Sequence, residues 1–370
     1  MILRPDCGHF PGDRPCKFNK LDGRTCENCS EYFKYETRIL IIKLDALGDV
    51  LRTTSLIPAV KKAWPSSHIT WVTKKNAMAL FNNLNDVQKV LDFDEASTHT
   101  LLLSSSYDIL IHPDASPQSA PLASLVKAGV KKGYLMNPRG FIEPADAAAV
   151  EWFEMGAFDN IKKVNTKSYQ QVIHEICGLP YEKGAIQLKL SANEIAFAQR
   201  FREDHGLSKY KRLVGLNTGA SGRWQLKQWR YDGYSALIER LLKIEGTGIL
   251  LYGGSEEEER NRALKNDYPE VIDTGSSNTL REFFALMSLP DVVVTGDTMA
   301  LHAAAALQKK VVCLFGPTSY HEIEDYSRIT KIYPGMDCLV CYKQTCDFVP
   351  NCMDLISVDM VYDAVLKDLQ

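Results

Sequence analysis

Residues 39–52 read ILIIKLDALGDVLR, an apolar run of strand length that ends in a Gly-Asp turn and opens an amphipathic stretch. A run with no polar alternation predicts a strand buried on both faces, and the stretch behind it predicts the helix of a βαβ unit. The same texture continues through HITWVT, VQKVLDF and YDILIHP, with helix-length segments over 48–64 and 76–83 between the runs. Pro65 closes the first of these predicted helices, since proline cannot continue the backbone hydrogen-bond ladder. Such alternation implies a parallel sheet covered by helices.

The pattern then pauses and restarts. Residues 137–165 carry Pro138, Gly140, Pro144 and Gly156 and read as an irregular surface excursion beside the cleft. A helix is predicted over 168–177, Gly178-Leu179-Pro180 breaks it, and an interdomain linker is expected near 180–192. RLVGLNTG, TGILLYGG, LPDVVVTGD and KKVVCLFGP follow as strands, with helices predicted over 231–243, 256–265 and 299–307. The stretch 358–369 is again amphipathic. A chain of 370 residues suits two domains of about 150 residues plus extensions. The expected division is a Cys-rich extension over 1–35, a Rossmann-like domain over 36–185, a second over 186–355, and a terminal helix over 356–370.

Composition narrows the partners. A net charge of −3 gives no reason to expect nucleic acid as a bulk ligand. No apolar stretch approaches the roughly 20 residues that span a bilayer. The start, MILRPDCGHF, lacks a basic head followed by an apolar core. The expectation is a cytoplasmic protein, at most touching the inner face of a membrane.

Candidate chemistry collects where strands give way to helices, because ligands gather at the carboxyl ends of parallel strands. Asp49 sits at such a joint. A carboxylate in the first helical turn is kept ionised by the helix dipole, which suits a general base; the plain alternative is a capping Asp with no chemistry. Asn217-Thr218-Gly219-Ala220-Ser221-Gly222 follows a strand, and small residues there let backbone N–H groups approach an anion, with Arg223 and Lys227 close behind. An ordinary Gly-containing turn is the alternative, and P-loop spacing is absent. Gly296-Asp297-Thr298 opens a helix with His302 on its second turn, a further anion site or simply a structural histidine. Gly253-Gly254 ahead of Glu256–Glu259 places a carboxylate against a ribose diol, or else a solvated acidic turn.

Eight of the ten cysteines fall into two sets: Cys7, Cys16, Cys26, Cys29, and Cys338, Cys341, Cys346, Cys352. In a reducing compartment such sets are more often metal sites than disulfides. Each contains a C-x-x-C knuckle, and four thiolates on a metal would let a tail with little core fold. The first spacing, C-x8-C-x9-C-x2-C, is irregular for a zinc ribbon, so zinc, iron and an iron–sulfur cluster all stay open. Cys177 and Cys313 sit in apolar settings and read as core.

Together, ILIIKLDALGDVLRTTSLIPAVKKAWP, LNTGASGRWQLKQWRYDGYSALIERL, LLYGGSEEEE and VVTGDTMALHAAAALQKKVVCLFGPTS resemble glycosyltransferase family 9, best known for ADP-heptose:lipopolysaccharide heptosyltransferases. The resemblance runs in order from about residue 38 to the C-terminus. It implies a GT-B fold, in which two Rossmann-like domains with parallel sheets face a cleft. It also implies inverting transfer that needs no metal, with an ADP-heptose donor and a hydroxyl of a lipopolysaccharide core or other glycan as acceptor. Asp49 matches the family's catalytic aspartate. Lys227 matches the phosphate-binding lysine of a K-x-W element completed by Trp229, and Asp297, Thr298 and His302 match the donor-binding D-T/S-G-x-x-H element. Met299 departs from the Gly of many members. Glu257 is the matching ribose carboxylate, and Thr218 and Ser221 join Lys227 around the diphosphate. The second cysteine set is similar to Cys-rich segments of some members, including protein-directed heptosyltransferases with an iron-binding finger. A protein acceptor, or a catalytically silent metal- or redox-sensing protein, are the alternative readings.

Overall fold

The computed structural model describes residues 2–220 and 226–370; Ser221 and Arg223 lie outside the described residues. The first sheet contains β1 (Thr37–Ile42), β2 (Ser67–Thr73), β3 (Lys89–Asp92), β4 (Ser106–His112), β5 (Lys127–Met136) and β6 (Ile142–Pro144). Its order is β3-β2-β1-β4-β5-β6, parallel except for the β5–β6 pair. The second sheet is built from β7 (Arg212–Asn217), β8 (Thr247–Tyr252), β9 (Ile272–Asp273), β10 (Val292–Gly296), β11 (Lys310–Leu314) and β12 (Ile329–Ile332). Read from its other edge its order is β9-β8-β7-β10-β11-β12, all parallel, so the two halves share one winding. In each, the strand order reverses between the first and fourth strands, the place where doubly wound sheets open a crevice.

The central strands are apolar because helices cover both faces: Ile39, Leu40, Ile41 and Ile42 are fully buried, as are Val292, Val293 and Val294. One buried apolar cluster runs from Ile39 and Val50 in the first half to Phe284 and Leu301 in the second. Polar links add to it beneath the crevice. Tyr169 N–H donates to the Glu322 carbonyl at 2.9 Å, and Gln170 donates to the Tyr326 hydroxyl at 3.2 Å.

Several expectations need correction. The single helix over 48–64 is two, Leu47–Thr53 and Leu56–Ala63. Pro58 has no N–H to offer the Thr54 carbonyl, and the Thr54 hydroxyl takes the Leu51 carbonyl at 2.6 Å, so the ladder breaks there. The segment near 76–83 is a 3₁₀ turn over Lys75–Phe81 rather than an α-helix. The excursion 137–165 is not irregular throughout: it holds β6 and the helices Val150–Ala157 and Asp159–Val164. Among the described residues no helix is long and apolar enough to cross a membrane.

Candidate active site

β1 delivers the chain to the crevice, and the helix Leu47–Thr53 starts at once, with Asp49 in its first turn. Asp49 lies deep in the crevice yet keeps 37 % of its side chain accessible. Its Oδ1 is 2.8 Å from Arg52 Nη2, one helical turn on. The Arg52 guanidinium stacks on the Tyr169 ring at 3.7 Å, and the Tyr169 hydroxyl is 2.7 Å from Thr53 Oγ1. Burial opposes ionisation of Asp49, but Arg52, then Lys43 and His302, outweigh it and hold the carboxyl below its ordinary range. Lys43, itself buried at the end of β1, is fixed by Asp114 Oδ1 at 2.7 Å beyond the end of β4.

The second half supplies the opposite wall. β10 ends at Gly296, and Asp297 and Thr298 lead into the helix Met299–Ala306. Thr298 Oγ1 accepts the Ala300 N–H at 3.2 Å as the N-cap, and Asn217 at the end of β7 donates to Thr298 Oγ1 at 3.4 Å. Lys227 Nζ donates to Asp297 Oδ2 at 2.8 Å and to the Asp297 carbonyl at 3.2 Å. Burial resists the charge on Asp297, yet Lys227 and His302 bring its carboxyl down to about 2. A cation beside a helix N-terminus is an anion-binding arrangement.

The two walls touch through a glycine. A Cβ at Gly48 would lie 2.7 Å from His302 Cδ2, so only glycine lets the two helices come this close. Burial, reinforced by Arg52, lowers the His302 imidazole to about 4, which leaves it neutral at pH 7. Asp49, Arg52, Lys227, Asp297, Thr298 and His302 thereby line one cavity of about 750 Å³. A neighbouring cavity of about 470 Å³ is walled by Gly219, Gly253, Gly254 and Glu257, and Thr298 and Met299 border both. Glu257 Oε2 accepts the Gly254 N–H at 2.8 Å.

Thr218 stands apart from the group. It is fully buried and its hydroxyl is 2.6 Å from Asn261 Oδ1, so its side chain braces the turn after β7 without facing either cavity. Trp229 is buried too, and its indole N–H donates to the Ile356 carbonyl at 3.0 Å, tying the Lys227 segment to the chain's last stretch. Ser221 falls outside the described residues. Sequence reasoning missed Lys43, Asp114, Arg52, Tyr169, Glu322 and Tyr342. Only Arg52 left a signal, a basic residue three places after Asp49 on one helix face.

The cysteines are all free thiols. Cys7, Cys16, Cys26 and Cys29 line one cavity of about 480 Å³ in the N-terminal segment. Burial raises the Cys352 thiol to about 11, and Cys341, Cys346 and Cys338 are near enough to add to that rise. Among the described residues no three His, Cys, Asp or Glu side chains are drawn together closely enough to hold a metal ion. The donor chemistry of both sets, four soft sulfur ligands, is nonetheless that of a structural metal site.

The chain and its fold have counterparts among known proteins. Residues 97–350 match the family model described as glycosyltransferase family 9 (heptosyltransferase). The chain belongs to glycosyltransferase family 9. The lipooligosaccharide heptosyltransferase 2 of Haemophilus influenzae is 23% identical over 307 residues, 76% of this chain and 84% of that protein. A family 9 glycosyltransferase from Veillonella parvula superposes with a TM-score of 0.69 at 18% identity, covering 90% of this chain and 97% of the other. The ADP-heptose lps heptosyltransferase II of E. coli gives 0.64 at 18% identity, covering 90% and 98%. The family 9 chain is thus a glycosyltransferase with the GT-B fold, and its crevice between the two sheets is the cleft of that fold.

One outcome follows from the Arg52 contact. Arg52→Gln removes the nearest positive charge from Asp49, so the carboxyl's pKa should rise. With Asp49 in the role of general base proposed below, which works only when deprotonated, the acid limb of the kcat/KM profile should move to higher pH. An acid limb at the wild-type position in the variant would show that Asp49 does not set it.

Proposed function

We propose that this glycosyltransferase moves a heptose from an ADP-sugar donor to a hydroxyl of a lipopolysaccharide core or related glycan, with inversion. The observation that carries the reading is the single cavity with Asp49 on one wall and the Lys227–Asp297–Thr298 group on the other. Residues 36–185 would hold the acceptor and 186–355 the donor, with the 1–35 extension and the 356–370 helix as attachments. Asp49 takes the proton from the attacking hydroxyl as oxygen closes on the anomeric carbon. The bond to the diphosphate breaks on the opposite face. Lys227 and the N-terminus of the helix Met299–Ala306 neutralise the charge that develops on the leaving group, work that a divalent metal does elsewhere. Glu257 would accept from the ribose diol, and Thr298 and His302 would complete the donor pocket.

The names of the relatives support this donor and acceptor, and a protein acceptor has no observation in its favour. The proposed place of work is the cytoplasmic side of the inner membrane, where a glycolipid acceptor is reached from solution. Mass spectrometry of lipopolysaccharide lacking core heptose, after incubation with ADP-heptose, should show one added heptose. The reaction should proceed in EDTA; a need for added Mg²⁺ or Mn²⁺ would overturn the mechanism.

The two cysteine sets are proposed as structural zinc or iron sites that take no part in the chemical step. Elemental analysis should then find about one metal ion or cluster per set, colourless for zinc and coloured for iron. Cys26→Ser should lower the melting temperature and leave turnover intact, since structural metal contributes folding free energy. Metal-free protein with an unchanged melting temperature in the variant would remove the idea.

A further inference from the structure

The loop that carries Cys338, Cys341, Cys346 and Cys352 is folded onto the cleft end of the second sheet. A Cβ at Gly316 would lie 2.7 Å from Cys352 Sγ, so Cys352 packs directly on the turn that leaves β11. One residue on, the Pro317 carbonyl accepts the N–H of Tyr342 at 2.9 Å, and Tyr342 follows Cys341 in the chain. The Ser319 N–H donates to the Tyr342 hydroxyl at 3.2 Å, and that hydroxyl donates to Glu322 Oε1 at 2.8 Å. The cysteine loop therefore grips the 316–322 turn at two places.

Cys341 is flanked by Val340 at φ 60° and Tyr342 at φ 51°. The left-handed region is unfavourable for side-chain-bearing residues, most of all for a β-branched one, and persists only where surrounding contacts impose it. The Pro317 and Ser319 hydrogen bonds to Tyr342 and the packing of Cys352 on Gly316 are contacts of that kind.

What the loop holds in place is a wall between two spaces. Tyr342 and Glu322 line the catalytic cavity with Asp49, and they also line an adjoining cavity of about 430 Å³ with Trp152, Phe153 and Lys162. Lys162, on the first half, sits 4.4 Å from the centre of the Tyr342 ring. The aromatic faces of Trp152 and Phe153 suit the apolar face of a sugar ring, and Lys162 suits an anionic substituent on it. A glycan with its reacting hydroxyl at Asp49 and its next ring in that second cavity must pass along Tyr342.

We propose that Tyr342 is a positioning residue for the acceptor, and that the cysteine loop, seated on Gly316 through Cys352, is the brace that keeps it there. This rests on the acceptor assignment made above for the first half. The loop then serves acceptor binding, not the chemical step, through a single side chain, and donor binding on the far side of Lys227 is independent of it.

Two measurements on the full-length protein test this. In hydrogen exchange, Cys352→Ala, which removes the sulfur packed on Gly316, should speed exchange of the Ser319 segment and leave the Gly253–Glu257 turn unchanged. In turnover with ADP-heptose and heptose-free lipopolysaccharide, Tyr342→Ala should raise the acceptor KM about tenfold, the worth of one hydrogen bond, with ADP affinity within about twofold. Tyr342→Phe, which keeps the ring against Lys162, should recover part of that affinity. Cys352→Ala should imitate Tyr342→Ala, and the double variant should be no worse than either single one. Additive effects, an equal fall in ADP affinity, or unchanged exchange at Ser319 would overturn the brace. Wild-type transfer with an unaltered acceptor KM in Tyr342→Ala would overturn the positioning role alone. A wild type that only hydrolyses the donor would remove the acceptor assignment and the role of Tyr342 with it, while the exchange data still judge the brace.

Discussion

Asp49→Asn should lower the rate of transfer by about 10²- to 10⁴-fold, the span a positioned general base contributes. The amide keeps the shape of the carboxylate and can still meet Arg52, so the cavity should persist and ADP affinity should stay within a few-fold. Stability should fall modestly, because Arg52 is buried against Tyr169 and loses its charged partner at 2.8 Å. What remains of the activity should lack the acid limb of the wild-type pH profile. That combination separates loss of a base from loss of fold: the first removes turnover and its pH dependence, and the second removes ADP binding too. A variant that keeps more than about a tenth of wild-type turnover would show that another group takes the proton.

How much of this could be read in the chain depends on whether the signal is local. Strands such as Ile39–Ile42 and Val292–Val294 are legible because burial on both faces writes an unbroken apolar run. β5 is not, since KAGVKKGYLM packs with lysines at its surface and lacks that run. The helices Ala192–Asp204 and Leu280–Met287 carry readable starts that went unused, the capping boxes Ser191–Glu194 and Thr279–Glu282. The helix expected over 48–64 splits ahead of Pro58, because a proline inside an apolar periodic stretch leaves the hydrophobic pattern intact while it breaks the hydrogen-bond ladder.

Within the site, Asp49, Asp297 and Thr298 sit at a helix start or just beyond a strand, so position alone singles them out, whereas Lys227 lies well past the end of β7 and His302 on the second turn of a helix, and only the motifs mark those two. The structure gathers all five around one cavity. Thr218 has the same address, but a hydroxyl after a strand can turn either way, and here it turns inward to Asn261. Tyr169, Glu322 and Tyr342 carry no local mark. Their meaning arises only when the helix Tyr169–Cys177, the turn after β11 and the cysteine loop meet beside the helix Leu47–Thr53. Contacts between segments so far apart in the chain leave no periodicity to read.

Lys227→Ala should weaken ADP binding by about 1.5–3 kcal/mol, roughly 10- to 150-fold, the worth of one charge-assisted contact to a diphosphate. Adenosine, which offers no phosphate, should bind nearly as before. The same substitution also strands Asp297, whose carboxylate lies 2.8 Å from the Lys227 ammonium and is mostly buried with it. Breaking a buried pair from one side costs up to about 3–5 kcal/mol of stability, because the remaining charge loses its partner. The sign with pH follows from the depressed Asp297 carboxyl. Its stabilising contribution is complete above the ordinary carboxylate range and is lost as pH falls through about 2. The stability deficit of Lys227→Ala should therefore be largest near neutrality and should shrink in acid. Adding Asp297→Asn removes the stranded charge without restoring a cation. The double variant should regain much of the melting temperature and none of the diphosphate affinity. Calorimetric titration with ADP and adenosine, beside thermal melts of the wild type and the two variants, reads both quantities. If ADP affinity returned with the melting temperature, or if adenosine binding fell as much as ADP binding, Lys227 would be a structural partner of Asp297 with no hold on the phosphates.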